Sequence, residues 1–332
     1  MTEALETIPD PANPARRPLE SSTELNTAEL AWWEKFAELE ERFCWVQTPA
    51  IQRFLRGRYV RRIVELTPPG GRIADLGCGA GWLAVLLGKL GARQVVGTDF
   101  SPAQIARARK LAAESGVADR VIFEVAEPAD IATGGEAFDV VIVHAFLHHL
   151  SVNEIKGVLA QAHGMLRPGG KLVIFEPVQY PPPPPRPNRE DGRSSAAKWR
   201  DRVYQRSGLA SGLGRFNRKP SGAEQQVRET LAGRSVGELP HGPSPKEMAF
   251  APDEIPALVA GQFRLVTREP CLSKAHWVAQ ENLLMELSSP LLARALRWPL
   301  LAAARFFDRR ACKLPYADGT AWVFEMFVCE PL

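Results

Sequence analysis

Between Arg72 and Leu90 the chain passes from a short apolar run, Arg72-Ile73-Ala74-Asp75-Leu76, through Gly77, Gly79 and Gly81 into an almost wholly apolar stretch from Trp82. A short apolar run bounded by glycines reads as a buried strand, and the stretch after it as a helix covered on both faces. Glycines at alternate positions let the backbone turn sharply and let a ligand approach with no Cβ in the way. A bare Gly-x-Gly-x-Gly is shared by several nucleotide-binding folds and by plain packing turns. The remainder of the chain must decide among them.

The strand–helix alternation continues downstream. Gln94 to Gly97 reads as a second strand ending at Asp99, and Pro102 to Ser115 as an amphipathic helix. Ser101 is its predicted N-cap and Pro102 its first residue. Val121 to Val125 is a third strand. Phe138 to His144 is a fourth, apolar enough for the centre of a parallel sheet. Asn153 to Leu166 is a helix ended by Pro168-Gly169-Gly170, and Lys171 to Phe175 a fifth strand. After Pro177 the rhythm breaks at five prolines, Pro181 to Pro185. It resumes with a helix over Pro252 to Gly261, a sixth strand over Phe263 to Thr267 and a last strand over Ala321 to Cys329. A helical insertion, His276 to Arg310, precedes that last strand. This pattern predicts an α/β fold: a doubly wound, mostly parallel, seven-stranded, Rossmann-like sheet with an antiparallel last strand. Ligands of such sheets bind at the carboxyl ends of the strands, near the point where strand order reverses.

Four regions follow. Residues 1–26, with Pro9, Pro11, Pro14 and Pro18, read as a disordered lead-in. Residues 27–178 hold two N-terminal helices, one capped by Thr27 and one over Ile51 to Leu66, and the ligand-binding core. Residues 179–250 are a Pro/Gly/Arg-rich insertion, and 251–332 complete the sheet around a helical insertion, 272–318. Both insertions leave from the carboxyl edge of the sheet, so they are expected to cap the site and set its specificity.

Bulk properties exclude several classes. A net charge of +3 on 332 residues gives no general attraction to nucleic acid. The five cysteines are scattered and form no Cys-x-x-Cys, so a disulfide framework, a zinc ribbon and an iron–sulfur cluster are not expected. No carboxylate/His cluster has metal-ligand spacing, so no metal is expected. The N-terminus has no apolar signal core, and Leu283 to Phe307 is too interrupted to span a bilayer. A cytoplasmic protein is the expectation.

Two acids sharpen the ligand. Asp99 ends the second strand, 18 residues beyond Gly81, where a carboxylate can accept both hydroxyls of a ribose. Asp75 ends the first strand, where it suits a cationic amino group better than a pyrophosphate. Together they favour an amino-acid-bearing ribonucleoside over NAD. Phe138-Asp139 and Leu166-Arg167-Pro168-Gly169-Gly170 add further landmarks.

The segments IADLGCGAGWLAVLLGKLGARQVVGTDFSPAQIARARK, FDVVIVHAFLHHL and LRPGGKLVIFEP resemble class I methyltransferases that use S-adenosyl-L-methionine. The resemblance covers about residues 70–178, with a weaker echo in 252–271 and 321–331. It implies that Asp75, Gly77, Cys78 and Gly79 line the methionine end of the cofactor, with Gly81 close behind. It implies that Asp99 holds the ribose, with Phe100 on the adenine and Ser101 beside it. Glu127 falls where an acid meets the adenine amino group. Pro128 follows it and has no N–H to offer the ring. His144 is placed near the methyl-bearing sulfur.

Methyl transfer is an in-line displacement, and the protein must mainly align the reactants. A base is needed only where the acceptor loses a proton first. His144, His148 and Glu176 lie at the expected active edge and are the candidates. His144 is as well read as a pocket wall, and His148 and His149 as packing or loop-capping residues. His163 falls in a helix and reads as structural, and Tyr180 is a candidate wall residue.

The first insertion carries twelve Lys/Arg against five Asp/Glu between Arg186 and Arg234. That surplus fits an anionic acceptor or a solvated loop. The apolar stripe of the second insertion, Leu283 to Phe307, fits a core or homodimer face, a hydrophobic acceptor channel or a peripheral membrane contact. The leading expectation is a methyltransferase acting on O, N or C of a small-molecule, sugar or lipid-like biosynthetic intermediate. A nucleic-acid methyltransferase is disfavoured, because no Asn/Asp-Pro-Pro-aromatic tetrapeptide follows the fourth strand. A non-catalytic cofactor-binding regulator is the third reading.

Overall fold

The structure is a computed structural model. It describes residues 17–43, 53, 56–126, 137–179, 244, 246–273, 298–299, 301–303, 306 and 322–332. Its strands are β1 (Arg72–Leu76), β2 (Gln94–Asp99), β3 (Val121–Val125), β4 (Phe138–His144), β5 (Leu166–Gln179), β6 (Phe263–Ser273) and β7 (Trp322–Pro331). They form one sheet in the order β3-β2-β1-β4-β5-β7-β6. Strands β1 to β5 pair in parallel, while β7 runs antiparallel to both β5 and β6. The order reverses between β1 and β4, and these two strands carry Asp75 and His144 at their carboxyl ends.

The helices are α1 (Thr23–Phe43), α2 (Gly57–Leu66), α3 (Trp82–Lys89), α4 (Pro102–Glu114), α5 (Val152–Met165) and α6 (Glu254–Val259). They cover the sheet from two sides. One apolar cluster joins Tyr59 and Ile63 of α2, Leu83 to Leu87 of α3 and Ile105 of α4 to Val140, Phe175 and Met326. The other joins Ile155, Val158 and Leu159 of α5 and Ile255 of α6 to Leu76, Val141, Ile174 and Phe327. Every residue from Trp82 to Gly88 is buried, as the apolar run predicts. Among the described residues no helix is long and apolar enough to cross a membrane.

Several boundaries differ from the sequence reading. Residues 17–26, part of the expected lead-in, are among those described and are held by tertiary contacts. The Arg17 side chain is 5% exposed, pairs with Glu254 at 2.9 Å and donates to the carbonyls of Leu150 and Met248. These tertiary contacts outweigh the proline-rich composition. Helix α1 begins at Thr23, where Ser22 Oγ accepts the Leu25 N–H. Thr27 is inside it and donates its hydroxyl to the Thr23 carbonyl instead of capping. Strand β5 runs from Leu166 to Gln179 because β7 continues the pairing to Gln179 and Trp322. Ser101 does cap α4, accepting from Gln104 N, and Ser151 forms a reciprocal capping box with Glu154. Glu127, Pro128 and Tyr180, and most of both insertions, lie outside the described residues.

Candidate active site

A cavity of about 430 Å³ opens at the carboxyl edge of the sheet, above β1, β2 and β4. Gly77, Cys78, Gly79 and Ala80 form its floor, with Asp99 and Phe100 at one end and His144 at the other. The floor is fixed by its own bonds. Cys78 N donates to Thr98 O at 2.9 Å, and Gly79 N to Asp99 Oδ2 at 2.9 Å. Asp99 Oδ1 accepts from Ser101 N at 3.0 Å. Both Asp99 oxygens are thus tied to the backbone of the loop and of the α4 start.

Two of the glycines are forced. Gly77 has φ +69°, and a Cβ there would lie 2.4 Å from the Phe146 ring. Gly81 has φ +74°, and its Cβ would meet Phe123 and Ala108 at 2.6 and 2.7 Å. The loop must therefore pass directly under Phe146 and directly over the β2–β3–α4 core.

Asp75 lies behind this loop, 1% exposed, and neither carboxylate oxygen has a hydrogen-bond partner. Burial pushes its carboxyl up to about 7, and the charge of Asp99 adds to the effect. The buried Tyr59 hydroxyl and Thr98 Oγ1 are without partners as well. A buried acid in this state is costly unless a cation arrives.

His144 lines the cavity at the end of β4. Its ring stacks on Phe175 at 4.9 Å and meets Trp82 edge-on at 5.3 Å. Its Nε2 is buried without a partner. Burial and the nearby Arg56 charge hold the imidazole well below its usual range, so it is neutral. Ala145 follows with φ +52°, the one positive-φ residue other than glycine among those described. That strain sits between two cavity-wall residues, His144 and Phe146.

Glu176, a candidate from the sequence, is engaged behind the cavity wall. It is fully buried, and its Oε1 accepts both Phe146 N (2.8 Å) and Leu147 N (2.7 Å). Its Oε2 lies 2.7 Å from His148 Nδ1. It does not line the cavity. Burial pushes its carboxyl up to about 7, against the pull of the two amides. His148 is pushed down to about 3, first by burial and then by Arg17. The pair therefore braces the strained turn after β4, with His148 also on the cavity wall and Glu176 behind it. Ser101 likewise points away: its Oγ is spent on the α4 cap and on Glu34 at 2.5 Å. His163 packs edge-on against Phe263.

The roof was not legible in the sequence. Thr23, Glu29, Trp33 and Phe36 of α1 line the cavity, together with Lys246 and Glu247. Buried Glu29 ties the roof down. It accepts from Trp33 Nε1, Ser244 Oγ and Lys246 N, and lies 3.1 Å from His149 Nδ1. Arg56, Trp82 and Phe324 complete the His144 end. The amphipathic pattern of α1 was visible, but its partner surface was not, since contacts between Glu29 and residues 244–246 span more than 200 positions.

Residues 73–170 match the family model described as a methyltransferase domain. This core is similar to methyltransferase domains. Among curated relatives, 27-O-demethylrifamycin SV methyltransferase of Amycolatopsis mediterranei (strain S699) is 34% identical over 38% of this chain and 46% of its own length. Ubiquinone biosynthesis O-methyltransferase of Mesorhizobium japonicum (strain LMG 29417 / CECT 9101 / MAFF 303099) is 33% identical over 43% of this chain and 57% of its own. The chain spans about half the length of these relatives. A solved structure of geranyl diphosphate C-methyltransferase from Streptomyces coelicolor A3(2) aligns over 83% of this chain and 77% of its own, at 11% identity and a TM-score of 0.48.

Proposed function

We propose that the chain is an S-adenosylmethionine-dependent methyltransferase acting on O, N or C of a small-molecule, sugar or lipid-like biosynthetic intermediate. The observation that carries the reading is Asp75, a buried carboxylate with both oxygens unpartnered beneath the glycine loop. A ligand ammonium would supply the missing partner. The donor brings a methyl group on a sulfonium, which is already a good leaving group.

The chain's own residues then hold, orient and shield. Asp75 would take the ammonium and Asp99 the ribose hydroxyls. The Gly77–Ala80 backbone would form the floor, and Phe100 would face the adenine. Trp33, Phe36 and Phe146 exclude water from the walls, which strengthens every electrostatic contact inside. His144 Nε2 offers one hydrogen-bonding position at the far end. Glu176 and His148 hold the turn that aims it. The rifamycin and ubiquinone relatives support a small-molecule acceptor.

The test is a screen of cell extracts with the purified protein and a methyl-labelled donor, separated into small-molecule, lipid, protein and RNA fractions. Label in small molecules or lipids is expected. Label confined to RNA would overturn the acceptor class.

A further inference from the structure

The end of the cavity opposite Asp99 carries a lone pair with no donor. His144 ends β4 and lines the cavity there. Its ring makes a backbone hydrogen bond at His144 itself, of the kind that favours a protonated nitrogen. A carbonyl only accepts, so the ring nitrogen in that bond carries the proton. Nε2 is buried and has no partner. The engaged nitrogen is therefore Nδ1, and in the neutral ring Nε2 is left as a bare lone pair.

Three rings hold the imidazole plane. It is stacked on Phe175 at 4.9 Å, met edge-on by Trp82 at 5.3 Å and flanked by Tyr59 at 5.3 Å. The Tyr59 hydroxyl is itself without a partner, so it does not serve Nε2. Ala145 N donates to Phe175 O at 2.7 Å, which fixes the end of β4 directly after the ring. A bare nitrogen in this position suits a group that brings a proton, an O–H or N–H. An ionised carboxylate, an ionised phosphate or a carbon nucleophile brings none. A cationic ammonium is disfavoured at the same point, because the charge of Arg56 already acts on this ring. An uncharged hydroxyl remains, and the adjoining walls of Trp82, Phe146 and Pro177 suit an apolar skeleton behind it.

We infer that His144 Nε2 selects the methyl acceptor, taking the hydrogen bond of an uncharged hydroxyl on an apolar skeleton and then its proton. This narrows the methyltransferase reading, on which it rests, from O, N or C to O. The hydroxyl oxygen forms the new O–C bond with a lone pair, while the S–C bond breaks and its electron pair stays on sulfur. The oxygen becomes an oxonium as it gains the methyl group. An oxonium is acidic enough to protonate even an imidazole held well below its usual range. Burial disfavours the imidazolium, which gives the proton to solvent as the product leaves. The products are a methyl ether, a thioether and one proton.

The test uses phenol and its methyl ether, anisole, at about pH 7, where phenol keeps its proton. Each is titrated into protein saturated with S-adenosylhomocysteine and isotopically labelled at its histidine ring nitrogens for magnetic resonance. His144→Phe keeps a ring on Phe175 and removes the lone pair, and His144→Gln restores a side-chain oxygen; both identify the His144 signals. In the wild type Nε2 should be unprotonated and should shift with phenol but not with anisole. Phenol should bind His144→Phe about tenfold more weakly than wild type, and anisole should bind both alike. His144→Gln should recover part of the difference. Circular dichroism checks that each variant folds. A proton on Nε2, no phenol binding up to about 10 mM, or equal phenol affinity in wild type and His144→Phe overturns the subsite. The methyltransferase reading survives those results, because S-adenosylhomocysteine is still bound. If the wild type binds no S-adenosylhomocysteine, that reading fails and the subsite with it.

Discussion

Replacing Asp75 by asparagine should strengthen the fold and weaken the ligand site in the same molecule. The ordinary Asp value is 3.8, and burial lifts the Asp75 carboxyl to about 7. The folded chain therefore holds this proton at a pH where the unfolded chain has released it. Stability from this group is complete below about pH 4 and is lost as pH rises through about 7. The gap between the two values converts to about 4 kcal/mol at ~1.4 kcal/mol per pH unit, an upper bound for the gain. The asparagine amide would still lack partners, which costs about 1–3 kcal/mol. The expected outcome for Asp75→Asn is a net gain of about 1–3 kcal/mol at pH 8 that vanishes near pH 5. Urea titrations of both proteins across that range measure it. The ligand side moves oppositely. Wild-type affinity for S-adenosylhomocysteine should fall up to about tenfold per pH unit below 7, because Asp75 must lose a proton to receive the ammonium. The variant should bind more weakly at pH 8, by about 1.5–3 kcal/mol, with that pH slope removed. A variant no more stable than wild type at pH 8, or one that keeps the wild-type slope, would refute the assignment of Asp75.

Other expectations follow from single contacts. Gly77→Ala should destabilise by about 2 kcal/mol or more, because it combines a left-handed backbone with overlap on the Phe146 ring; calorimetric melting reads the loss. Glu176→Ala leaves the amides of Phe146 and Leu147 and the His148 ring without their acceptor, at about 3 kcal/mol or more. Glu176→Gln keeps an acceptor for both amides and should retain most of the stability and methyl transfer, whereas a true general base would lose transfer equally in both variants. Arg17→Ala removes the bonds to Glu254, Leu150 and Met248 and should speed proteolytic cutting of the segment before α1. Unchanged cutting kinetics would show that these bonds do not hold the segment.

What could be read from the chain was the part whose chemistry is local. The glycine loop, Asp75, Asp99 and the Ser101 cap each declare themselves within a few residues, and the apolar runs around them set the parallel sheet. Glu176 was found at the right edge, but not the two amides and the imidazole that it holds. Its role depends on two amides thirty positions upstream, which no local pattern shows. Trp33 and Phe36 recur at helical spacing, and Arg56 stands among closely spaced arginines, but nothing in the sequence says which surface such a face will cover. Residues 17–26 were not legible for a related reason: composition argues for disorder only where no tertiary partner compensates, and Arg17 bonds Glu254 and the carbonyls of His148, Leu150 and Met248.

The central claim is that this cavity holds an amino-acid-bearing adenosine between Asp75 and Asp99. Calorimetry with S-adenosylhomocysteine on the wild type and Asp99→Ala tests it most directly. One molecule bound per chain, with a dissociation constant on the order of 1 μM and a weakening of about tenfold or more in Asp99→Ala, is the predicted result. No heat up to about 1 mM ligand, or equal affinity in the two proteins, would contradict it.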